Sequence, residues 1–153
     1  FAAPFFAWSE PEDLAQWLET LPRSVSEVER QQLADGLGFT RKFGFAAAVD
    51  NPGVPINRTA PELAFIGDQT AYPSISLADL DLGADYNLSF MVAPVVGKHG
   101  EVAFVLSLSG FSGIKSGSQI ALIGNRLREA AERITQFITG SKNMYPFKSP
   151  LNA

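Results

Sequence analysis

The 153-residue chain predicts one mixed α+β domain in which helices cover an antiparallel sheet. Three observations predict it. Residues 86–96 and 101–109 are apolar, partly alternating runs joined by Gly97-Lys98-His99-Gly100, a β-hairpin pattern whose glycines suit the positive φ of a tight turn. Residues 120–138 place Ile120, Ile123, Leu127, Ala130, Ala131, Ile134, Phe137 and Ile138 on one face of a long helix. Shorter capped helices precede the hairpin.

In chain order, Ser9 before "EPEDLAQWLETL" reads as an N-cap with acids in the first turn. Leu14, Trp17, Leu18 and Leu21 form the stripe, and Pro22 stops the helix. Ser24 or Ser26, each with a Glu close behind, starts a second helix to about Phe43, with Val25, Val28, Leu33 and Leu37 setting the period. Residues 44–50 read as a strand closed by Asn51-Pro52-Gly53. Residues 51–85, with Pro52, Pro55, Pro61 and Pro73, read as an irregular insert holding a helical turn at 61–66 and a short strand at 74–77. Pro94 cannot donate to a ladder, so it belongs at a bulge or with its nitrogen turned from the partner strand. Ser116 or Ser118 caps the last helix and Gly140 ends it. The expected domain is 1–140, with 141–153 a loosely held tail.

Composition excludes several functions. The net charge is −4 and Arg41-Lys42 is the only adjacent basic pair, so this chain alone lacks the basic stripe of a nucleic-acid binder. No apolar run approaches the ~20 residues of a membrane span, and the start has no basic signal region, which makes a soluble cytoplasmic protein the default expectation. Without cysteine there is no disulfide, thiol catalysis or thiolate metal site. The one histidine, His99, lies in the hairpin turn, where a solvated imidazole needs no catalytic role. "GFSGIKSGS" lacks the Gly-Lys-Ser order of a phosphate loop, although the helix N-terminus after it could meet an anion. Acids in "SEPED" and "ISLADLDLGAD" suit a helix start and turns better than a metal or acid–base pair. Asn57-Arg58-Thr59 fits a glycosylation sequon but reads as a loop. The expectation is no enzyme, no metal and no cofactor.

One strand stands apart. Val102, Phe104, Leu106 and Leu108 share one face, while Ala103, Val105, Ser107 and Ser109 share the other. A small, semi-polar second face suits the floor of a pocket in which hydroxyls orient an apolar ligand. Equally, the two serines can satisfy neighbouring backbone or face solvent near the strand end.

At this point the residues carry a resemblance. "SFMVAPVVGKHGEVAFVLSLSGF" and then "IALIGNRLREAAERITQFITG" resemble the C-terminal part of the effector-binding domain of IclR-type bacterial transcriptional regulators. That pattern is a strand ending in Ala-Pro-Val, a Gly turn, a strand ending in Ser-x-Ser-Gly, and a closing helix rich in Leu, Ala and Arg. "FAWSEPEDLAQWLETL" and "LADGLGFTRKFGFAAAVD" are similar to earlier parts of the same domain. The resemblance implies a GAF-like fold with a small-molecule pocket between sheet and covering loops, in which Ser107 and Ser109 contact the effector. Phe90 stands where many members carry a pocket Cys, which points to an apolar or aromatic effector. Phe90 and Met91 join the serines in the expected floor, Phe5, Phe6 and Trp8 wall it, and Asp81, with Asp79 beside it, is nearest to the family's acidic pocket residue. The family acts as homo-oligomers that bind DNA through a winged helix-turn-helix, which has no counterpart here. The implied function is therefore that of a sensing module. Two rivals are an enzyme using the same cavity and a ligand-free GAF-like dimerisation module.

Overall fold

The structure, a computed structural model, describes residues 3–8, 11–20, 25–50, 74–145 and 147. The expected helical turn at 61–66, the cap Ser9, the stop Pro22 and the sequon lie outside these residues. Among them the elements run α1 (Ala3–Phe6), α2 (Pro11–Thr20), α3 (Glu27–Phe43), β1 (Ala46–Asp50), β2 (Ser74–Ser76), β3 (Asp85–Tyr86), β4 (Leu88–Val96), β5 (Val102–Ser109), β6 (Lys115–Ser116) and α4 (Gly117–Thr139). The expected α+β class with a central antiparallel sheet is what the chain adopts: strands in the order β2-β1-β4-β5, with β3 and β6 forming a separate pair.

Local chemistry sets the helix ends. Ser26 caps α3 and Ser116 caps α4, each accepting from the backbone N–H three residues on, while Glu29 and Gln119 reach back to the caps' own N–H. This resolves both serine alternatives in favour of the second and the first, respectively. Gly44 ends α3 at φ +76°, a left-handed conformation in which a side chain is strained, and its N–H donates to the Thr40 carbonyl at 2.8 Å.

The core lies between the sheet and α4. Ala47 of β1 and Met91, Ala93 and Val95 of β4 meet Ile120, Leu127 and Ala131 of α4, and all are buried. Gly124 lets α4 descend: a Cβ there would overlap the Phe45 ring, which packs edge-on to Phe39 at 5.7 Å. On the other face α3 approaches β2 at Gly36, where an added Cβ would sit 2.8 Å from that of Ser76. Only the later turns of α3 are buried, through Gly36, Leu37, Phe39 and Thr40, so Val28 is exposed rather than part of a core stripe.

Three further expectations are corrected. The strand read as 86–96 breaks at Asn87, whose carbonyl accepts from Asp50 N–H at 2.9 Å, sending β3 to pair with β6 instead. Phe137 is 90% exposed, because the buried row of α4 runs Ile120, Gly124, Leu127, Ala131, Thr135 and Phe137 lies ~200° around the helix from Thr135. The threonine takes the inward place since its hydroxyl accepts from Val96 N–H at 3.0 Å, a donor that would otherwise be buried unpaired. Finally, the start of the tail is not loose. Tyr145 is buried in the core, and burial raises its phenol well above the ordinary range. Phe147 packs on that core with the Arg128 guanidinium 4.5 Å over its ring.

Candidate functional site

The register of the β4–β5 ladder decides which predicted site residues meet. Phe90 stands opposite Ser109 and Val92 opposite Ser107, so these four side chains share the sheet face turned away from the α4 core. Met91 stands opposite Leu108 on the other face and is fully buried among core residues. Its expected place in the floor is therefore corrected: the side chain alternation that joins Phe90 to the serines removes its neighbour.

The floor itself is more open than expected. Ser107 and Ser109 are both exposed, as are most residues of β5, while Phe90 is half-buried and Val92 is buried. The two hydroxyls thus lie on an accessible face at the sheet's margin and not in an enclosed hollow. The physical cause is position: β5 is the outer strand among the described residues, so one flank lacks a neighbour that would shade it.

The N-terminal aromatics lie near by. α1 packs on α3 and runs beside β4 and β5, and it is held by the Arg41 guanidinium, which donates to the Ala7 carbonyl. Ala7 is buried there, while Phe6 and Trp8 are half-buried. Phe6 stacks on Trp17 of α2 with ring centroids 4.4 Å apart and planes within 19°, so one of its faces is already occupied. Phe5 is 41% exposed.

Asp81 belongs elsewhere. Its carboxylate accepts from Gly83 N–H at 2.9 Å, and its own N–H donates to the Tyr86 hydroxyl at 3.0 Å, an arrangement that builds the turn under the start of α4. Asp79 pairs with Lys42 at 3.0 Å, both side chains being largely exposed, and that partner holds its carboxyl below the usual range.

The same turn disposes of the anion site. Gly117 N–H donates to the Ala84 carbonyl at 2.8 Å, Ser118 N–H to Leu82 at 3.1 Å, and Gln119 N–H to the Ser116 hydroxyl at 3.3 Å, so the first donors of α4 are already satisfied by protein. Lys115 donates to the Ser112 and Gly113 carbonyls.

His99 is exposed in the hairpin turn, with its backbone N–H donating to the Glu101 carboxylate at 3.0 Å. Among the described residues no three His, Asp or Glu side chains are grouped to hold a metal, and no helix is long and apolar enough to cross a membrane. What sequence reading missed is the contribution of Val92 to the serine face; the signal was present, since register parity follows once the hairpin turn is placed.

No protein-family model, curated protein or solved structure matches this chain.

Proposed function

We propose that this chain is a small-molecule sensing module of GAF-like build, akin to the effector-binding domain of an IclR-type regulator, with the ligand on the sheet face opposite α4. The observation that supports it most is the ladder register that sets Phe90 beside Ser109 and Val92 beside Ser107: one aromatic and one aliphatic surface with two accessible hydroxyls, and no charged side chain among the four. Such a set suits an aromatic or apolar molecule carrying one or two hydrogen-bonding groups. Because the hydroxyls are exposed, the ligand's outer side needs a cover, and α1, which runs beside β4 and β5 and carries Phe5 and Phe6, supplies apolar material for one, with Trp8 following it in the chain. Ligand binding would shift the balance between two arrangements of the parent oligomer, DNA contact belonging to a separate domain. No bond is broken in this reading.

A panel of aromatic acids and neutral aromatic metabolites, each titrated during thermal unfolding, tests it. A ligand that prefers the native state raises Tm, by an amount equivalent to about 2.7 kcal/mol at a hundred times Kd. Ser107→Ala with Ser109→Ala should then weaken binding roughly tenfold or more, as two hydrogen bonds of ~1 kcal/mol each are lost. Affinity unchanged in the double variant refutes the serine face, and a Tm unmoved by the whole panel refutes the aromatic-ligand reading.

A further inference from the structure

The two N-terminal helices stand outside the main core. α1 is a single turn, too short to hold its shape alone, and no described side chain of α2 is buried. Neither helix supplies a residue to the core cluster beneath α4. What holds them is a pair of arginines on α3. Arg41 donates to the Ala7 carbonyl just past α1, and Arg30 donates to the Leu18 carbonyl in the last turn of α2. At 100° per residue these two positions fall within ~20° of each other around α3, so one stripe of that helix carries both. Carbonyls at helix ends lack partners in their own helix, and each guanidinium therefore meets an acceptor left open by the local structure. Among the described residues neither arginine pairs with an acid. The stack of Phe6 on Trp17 then ties α1 to α2.

This arm covers part of the candidate site. α3 packs on β1 and β2, and α1, seated beside it, is the element that reaches β4 and β5. Val92 is 1% exposed, although Ser107 directly opposite it in the ladder is exposed. A ligand that touches both has to lift α1.

We propose that α1 and α2 form an arm that gates the serine face, with Arg30 and Arg41 as the positioning residues that hold it shut. Opening breaks two hydrogen bonds, one ring stack and the seat of Ala7, and it leaves the sheet and α4 folded. It uncovers Val92, and closure lays α1 over the outer side of what has bound. The gating role rests on the ligand reading, whereas the opening itself does not.

Thiol labelling tests the opening without any ligand, since the chain has no native cysteine. Val92→Cys and Val95→Cys place one thiol each on opposite faces of β4, the first under the arm and the second under α4, at positions 1% and 0% exposed. Val92→Cys should react with iodoacetamide about tenfold faster or more, and its rate should barely respond to low urea, because a local opening exposes little surface. Val95→Cys should react slowly, with a steep urea dependence. Arg30→Ala with Arg41→Ala should speed labelling of Val92→Cys by roughly tenfold or more, as two charge-assisted hydrogen bonds are lost. Both tryptophans, Trp8 and Trp17, belong to the arm, so acrylamide quenching of their fluorescence should rise in the same double variant even if a cysteine variant fails to fold. Equal urea dependences on the two faces, or arginine variants that change neither labelling nor quenching, overturn the arm and leave the serine reading standing. A ligand panel that leaves Tm unmoved does the reverse: it removes the gating role and leaves the opening.

Discussion

Strands β4 and β5 are neighbours in one ladder and both are rich in apolar residues, yet β4 is buried over most of its length and β5 is exposed at five of its eight positions. Hydropathy does not separate them. β4 has a strand on each side and α4 above it, whereas β5 has, among the described residues, one strand neighbour and is reached by α4 and α1 less than β4 is. The same kind of side chain therefore does different work: in β4 it fills a core, in β5 it remains available for recognition. The exposure of the serine face of β5 follows from that difference.

The sharpest way to break the comparison is to truncate one ladder pair from both ends. Met91 and Leu108 oppose each other, at 0% and 39% exposure. Met91→Ala should cost about 2–5 kcal/mol in denaturant unfolding, from lost transfer energy and the cavity left behind, and Leu108→Ala below about 1 kcal/mol at dilute protein. Equal losses would mean that β5 is as buried in solution as β4. A smaller effect is expected where α4 ties the end of β4. Thr135→Val keeps the side chain's shape but leaves Val96 N–H buried without an acceptor, and should cost about 1–3 kcal/mol. No such tie reaches β5 among the described hydrogen bonds.

The smallest effect sets two helix starts against each other. α3 and α4 share one capping geometry, but the reaching side chain is Glu29 in the first and Gln119 in the second. Hydrogen bonds from the Ser26 backbone, then from its hydroxyl, hold the Glu29 carboxyl below the usual range. A depressed folded pKa contributes stability that is present above the ordinary carboxylate value and is lost as pH falls through the folded one. Protection of the amides at the start of α3, taken relative to their intrinsic exchange at each pH, should therefore fall in acid while the start of α4 keeps its protection, and Glu29→Gln should remove the difference. An α4 start that loosens equally would show that the acid effect is not local to this carboxylate.

Much of this was legible before the fold was known. The candidate cap serines of α3 and α4, the hairpin turn, a short strand starting at Ser74 and the long final helix follow from local chemistry: hydroxyl caps, glycine where φ is positive, and periodicities of 3.6 and 2. Thr135 shows where such reading ends. A threonine on a helix counts as surface until Val96 is known to point an unpaired N–H at it, and Phe137 counts as core until that exchange turns it outward. Tyr145 was hidden in the same way, since its seat beside Gly44, 101 residues earlier, exists only after α3, β1 and α4 have come together.

The sequence by itself determined the kinds of element, their order and their ends, and it determined that alternate residues of β5 would face opposite ways. Tertiary structure alone decided which of those faces is covered. It put β4 in the middle of the sheet and β5 at the margin, brought Phe90 to Ser109 while sending Met91 to the core, and spent Asp81 on a turn. The reason is range: caps, turns and alternation act over a few bonds, whereas burial is a property of what lies across a space the chain closes only by folding.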